Sequence, residues 1–181
     1  MRDRLGLETS IPYMKLGYCY MQLGKFPLAI KTFTQAKSWL TGDEADDIRM
    51  AVCEASIGDC YRIQASPRNK GSLVNADDYY RKANDSLSQL TSTKAKRIKE
   101  RIALYRGFVD QIRGLPKLAE VYYAASLPTV DRLYAEHPAE LQVILNNYAV
   151  ACWDAGSFSK AIEVRKRAKE LGDFSPGQHR L

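Results

Sequence analysis

One recurrent spacing restricts what this chain can fold into. From Tyr13 it reads Tyr13-x-x-Leu16-Gly17-x-x-Tyr20, then Gly24-Lys25-Phe26, Ala29, Phe33 and Ala36. Much of that order returns near the other end as Leu145-Asn146-Asn147-Tyr148-Ala149-x-x-Cys152, Gly156-Ser157-Phe158, Ala161 and Ala168. The interval from Gly17 to Ala29 equals that from Ala149 to Ala161. A further copy runs Ile57-Gly58-x-x-Tyr61, Gly71, Ala76, Tyr80 and Ala83. There the interval from Gly58 to Ala76 is longer by six positions, and Ser66-Pro67-Arg68-Asn69-Lys70 reads as the extended loop. A chain that repeats a unit of this size folds as stacked units, each burying a face on the next.

The residue types explain the unit. Gly17 and Ala29 are small where two antiparallel helices cross, while Tyr13, Tyr20 and Phe33 fill the space between hairpins. Gly24 ends the first helix, because glycine adopts the left-handed conformation at no steric cost. A weaker copy is visible in Gly114, Ala119, Tyr123 and Ser126, which fit a second helix. For its first helix, strict spacing puts Arg106, Asp110 and Arg113 at core places. The apolar stripe at helical intervals is instead Ile98, Ile102, Tyr105, Val109 and Ile112. Either that helix is rotated relative to its siblings, or a loop differs in length.

These motifs resemble the tetratricopeptide repeat, whose pattern is aromatic-x-x-Leu-Gly-x-x-Tyr followed by Ala-x-x-x-Phe and a further small residue. The resemblance spans about residues 10–172. The copies begin about 41 to 49 residues apart, longer than the roughly 34 of the common form. The piece His137-Pro138-Ala-Glu-Leu-x-x-x-Leu145-Asn146-Asn147-x-Ala149 is similar to the longer variant of kinesin light chains. The resemblance implies an all-α fold, a right-handed α-solenoid of about four helical hairpins. It makes residues 1–181 a single domain with repeats at about 10–43, 51–90, 100–133 and 142–175. Arg165, Lys166, Arg167 and Lys169 stand where other copies have an aromatic and its neighbours, as expected of a last repeat with a polar outer face. No comparable cap precedes Ser10, so the expectation on that side is a preceding element in a larger chain or complex.

Composition narrows the function classes. Apolar residues make up 45% and charged residues 27%, ordinary for a folded globular chain. No apolar run approaches the roughly 20 residues that span a bilayer. The first residues have no apolar core of a signal peptide, so a cytoplasmic protein is expected, with the nucleus as the alternative. The net charge is +6, and much of the excess lies in Lys94 to Arg101 and Arg165 to Lys169. No glycine-rich phosphate loop, Gly-x-Ser-x-Gly or His-Glu-x-x-His occurs. The four cysteines are widely spaced, with neither zinc nor disulfide patterns. Cys19 and Cys60 share a place in their repeats that reads as small buried filler, and Cys152 lies one residue further along. No cofactor, metal or catalytic residue is expected.

The resemblance implies that the first helices of successive hairpins line a concave groove that holds a peptide or protein. The groove residues expected on that basis are Tyr18, Met21, Asp59, Arg62, Tyr105, Asn146, Asn147, Val150 and Trp153. Tyr18, Met21 and Trp153 are large apolar groups on polar faces, which points to an interface. Packing within the array is the competing reading. Asn147 stands where peptide-binding members of the family place an asparagine, whose amide both donates and accepts. Met14 and Tyr18 stand where chaperone-binding members have Lys and Asn, so a carboxylate clamp for Hsp70 or Hsp90 is not expected. Nucleic-acid or acidic-surface binding through Lys94, Lys96, Arg97, Lys99 and Arg101 is the second reading. Only Tyr105 lies near that stripe to stack a base.

Overall fold

The computed structural model describes residues 2–40, 42–65, 69 and 71–172, with side chains from residue 10 onward. Among them are eight α-helices and no strand: α1 (Arg2–Gln22), α2 (Phe26–Lys37), α3 (Glu44–Ile63), α4 (Gly71–Ser86), α5 (Thr93–Ile112), α6 (Pro116–Leu133), α7 (Pro138–Asp154) and α8 (Phe158–Glu170). The fold is all-α. The chain divides into two compact units, Met1–Ile102 and Ala103–Leu181. Most of the inserted loop, Ser66 to Arg68 and Lys70, lies outside the described residues. Gly71 opens α4 rather than closing α3.

In the first unit, α1 packs on α2, α2 on α3, and α3 on α4. The joint at each hairpin is a ring on a glycine. A Cβ on Gly17 would lie 2.8 Å from the Phe33 ring, and one on Gly58 would lie 2.8 Å from the Tyr80 ring. Phe33 and Tyr80 have no exposed surface, and each burial stabilises the chain by about 1.5–3 kcal/mol. Around Phe33 gather Ala29, Ala36, Cys53, Ile57 and Cys60, joining α2 to α3. Across the same joint Lys37 reaches the buried Glu54 at 2.5 Å, and the Ser86 hydroxyl donates to that carboxylate from α4 at 3.0 Å.

In the second unit, α6 packs on α7 and α7 on α8. The sequence left the first helix of the third repeat open, and here the structure decides. Gly107 takes the glycine's place, as far before Ala119 as Gly17 is before Ala29. A Cβ there would come within 3.1 Å of the buried Tyr123 ring. The strict spacing therefore holds, and α5 is not rotated. The polar residues that spoiled the pattern have their own partners. Asp110 is buried with Arg113 at 3.2 Å, and the Arg106 guanidinium lies 4.2 Å from the centre of the Tyr122 ring. Ile98, Ile102 and Val109 are buried as the stripe predicts, but Ile112 is 68% exposed, because the helix ends there.

Three first helices end in one turn. At Gly24, φ is +68°, and the Lys25 N–H donates to the Tyr20 carbonyl. The same bond joins Leu115 to Asp110 around Gly114, and Ser157 to Cys152 around Gly156. Each turn satisfies carbonyls that the helix end leaves open, and a side chain in that conformation would cost about 1–2 kcal/mol.

The seats predict graded costs. Gly58→Ala meets the Tyr80 ring at 2.8 Å and the Ala76 carbonyl at 3.2 Å, so it should destabilise by about 1–2 kcal/mol even after alanine's helix advantage. Gly107→Ala, at 3.1 Å from a ring, should come out near zero. Ala29→Leu, at a residue with no exposed surface, should cost about 1–3 kcal/mol. Denaturant midpoints measure all three, and an equal effect of the two glycine changes would contradict the difference between the seats.

Candidate partner-binding faces

The residues expected to line a groove fall into two sets, one in each unit. In the first, the Tyr18 ring meets Phe33 edge-on, with centroids 5.1 Å apart at 76°. Its hydroxyl lies 3.2 Å from that of Ser56. Burial raises the Tyr18 pKa, against the pull of the Ser56 hydrogen bond. Met21 packs against the core around Phe33. Asp59 accepts a 2.7 Å hydrogen bond from the Tyr80 hydroxyl, and Arg62 donates to both at 3.3 Å. Burial pushes the Asp59 carboxyl above the usual carboxylate range, with Arg62 and the Tyr80 hydroxyl pulling it back. Asp59 and Arg62 therefore satisfy a buried phenol.

The second set differs. Tyr105 packs against the core of this unit. The Asn147 carbonyl accepts from Gln111 at 3.3 Å, while its side-chain amide has no partner among the described residues. Asn146 is half-buried beside it. Val150 is 41% exposed and Trp153 57% exposed. The Trp153 ring meets Phe158 edge-on at 4.9 Å. Val150, Trp153, Ala149, Asp154, Ala161 and Arg165 line a notch of about 250 Å3.

Gln111 is not among the expected groove residues, and Arg101 is one of the basic stripe. Gln111 accepts the Tyr123 hydroxyl at 2.7 Å, filling the role that Asp59 and Arg62 fill for Tyr80. The signal was available, since Gln111 is four residues after Gly107 as Arg62 is after Gly58. Arg101 is half-buried and acts electrostatically on Tyr18 and Asp59. Of the basic stripe, Lys94, Lys96 and Arg97 are exposed, while Lys99 donates to the Leu90 carbonyl. The five cations thus divide between solvent, a backbone carbonyl and the neighbourhood of Tyr18 and Asp59.

Residues 12–39 match the family model of the tetratricopeptide repeat. They span the last half of α1 and all of α2, the glycine and ring of the first seat included. The first hairpin is similar to a tetratricopeptide repeat. The fold extends the likeness: the crystal structure of BtubC (BKLC) from P. vanneervenii superposes over 95% of this chain and 68% of that chain, with a TM-score of 0.68 and 17% identity. No curated protein sequence matches the chain. Among the described residues no helix is long and apolar enough to cross a membrane, and no three His, Cys, Asp or Glu side chains cluster as metal ligands would.

One expectation for this repeat needs correcting. Cys60 and Cys152 are buried, but Cys19 is exposed. Cys60 lies against α2 with Cys53 and Ile57. The matching face of α1, with Pro12, Leu16 and Cys19, has no helix packed on it among the described residues, and Leu16 is 42% exposed. Burial pushes the Cys53 thiol up to about 12 and the Cys60 thiol up to about 11, leaving both protonated at neutral pH. At pH 8 a maleimide or disulfide reagent should therefore modify Cys19 fast and the other three only on unfolding. Two or more fast equivalents in the Cys19→Ser variant would show that the core opens.

Proposed function

We propose that the chain is a non-catalytic protein-interaction module, its four hairpins acting as one domain that binds a peptide or protein partner along the first helices. The observation that carries this reading is on α7. Trp153 and Val150 stay exposed beside Asn147, whose side-chain amide is unengaged among the described residues. Large apolar groups left in water next to an unused donor and acceptor are what an interface centre needs. The residues proposed to bind are Tyr18, Met21, Asp59 and Arg62 of the first unit, and Tyr105, Asn146, Asn147, Val150 and Trp153 of the second. The tetratricopeptide match supports the reading, since repeats of this kind mediate protein–protein contact. Four free cysteines, three of them buried, fit a cytoplasmic setting.

The test compares affinity with stability for a partner captured by the whole chain. Trp153→Ala and Asn147→Ala should weaken it, the former by about 2 kcal/mol or thirtyfold, with little change in thermal midpoint. Lys96→Ala should matter only at low salt, because an exposed cation is screened at higher ionic strength. Groove changes that lower the midpoint and leave affinity intact would assign those residues to packing and end the groove reading.

A further inference from the structure

The fourth hairpin departs from the others at its seat. Ala149 stands in the glycine's place, and Arg165 follows Ala161 at the interval by which the Phe33 ring follows Ala29. Without a ring, the space between α7 and α8 opens as the 250 Å3 notch. That is smaller than the roughly 300–1,000 Å3 of small-molecule sites, so it suits side chains rather than a free ligand. The surface around it is not simply polar. On α8, Ile162 is 65% exposed and lies three and seven residues before Arg165 and Lys169, on one helical face. Trp153 and Val150 continue the apolar surface on α7. Arg165 and Lys169 have no acidic partner among the described residues.

The α2–α3 joint shows what covers such a face. There α3 lays Cys53, Ile57 and Cys60 against α2. It also brings the Glu54 carboxylate to Lys37. Lys169 directly follows Ala168 as Lys37 directly follows Ala36, at the same place in its hairpin. It is a cation without its carboxylate. We propose that the open face of the α7/α8 hairpin docks an acidic amphipathic helix of a partner protein, its apolar stripe on the notch by Ala149, Ala161 and Trp153 and its carboxylates on Arg165 and Lys169. A second copy of the chain is a poor occupant through α1, where Tyr13 holds the place of Glu54, four residues before the glycine. This surface adjoins the proposed groove and shares Val150 and Trp153 with it, whereas Ile162, Arg165 and Lys169 lie on α8 and belong to this surface alone.

The probe is a synthetic acetylated and amidated peptide of residues 44–63, with Cys53 and Cys60 replaced by alanine. It carries five carboxylates against two guanidiniums, and in the chain it docks on a face of this kind. The readout is the indole N–H resonance of Trp153, with Trp39, the chain's other tryptophan, as internal control. Saturable shifts at Trp153 alone are expected. Arg165→Glu with Lys169→Glu, both exposed positions, should weaken the peptide about tenfold through like-charge contact. A peptide with Glu54→Lys should recover binding to that doubly reversed chain. Equal binding by a scrambled peptide, loss of affinity without recovery, or self-association of the chain would overturn the proposal. So would shifts at Trp39, which would mean that the peptide displaces the chain's own α3.

Discussion

The seat of a second-helix ring against a first-helix glycine is the constraint on which the first three hairpins depend. A side chain at Gly17 or Gly58 would overlap a ring that has no exposed surface and nowhere to retreat. Because protein interiors are close-packed, that contact sets how near the two helices approach. It also determines which residues reach the next helix. Phe33 holds Cys53, Ile57 and Cys60 of α3 in its cluster, and the Tyr123 ring lies 5.8 Å from that of Tyr148 on α7.

Choosing tyrosine for the ring brings a second requirement. A buried phenol needs a hydrogen-bond partner, or it loses more than it gains by packing. Phe33 makes no such demand, and Tyr18 covers it with an aromatic edge. Tyr80 is answered by Asp59 and Arg62, and Tyr123 by Gln111. These partners come from the same two helical places, one and four residues after the glycine. Those are also places that the family resemblance assigns to a groove. In the first three hairpins they are committed to the ring, whereas Val150 and Trp153 of the fourth have no ring hydroxyl to satisfy and remain exposed. At these two places the side chains are exposed where the internal seat is missing.

The hairpins were legible in the sequence because their causes are local. A fixed interval between small residues, a glycine after the first helix and a ring one turn past the alanine are visible without neighbours. Gly107 obeyed the same rule, yet Arg106 and Asp110 beside it obscured it, since polar residues at core places count against a pattern. Only packing shows that Asp110 is buried with Arg113 and that Arg106 stacks on Tyr122. What spacing does not show for the expected groove residues is their engagement: Asp59 and Arg62 bond to Tyr80, and Met21 packs on the core, through long-range contact.

Periodicity and small-residue spacing by themselves determined that this chain is helical, that its helices pair, and where each pair crosses. Tertiary structure decided which members of equivalent positions are buried. Cys19 and Cys60 share a place in the repeat; α2 packs on that face of α3, whereas among the described residues no helix packs on the matching face of α1, and Cys19 is exposed. Burial depends on what lies across from a face, and helical spacing can name the face without naming its neighbour. Lys37 and Lys169 differ for the same reason: one meets Glu54 on the next helix, and the other faces a surface that no described helix covers.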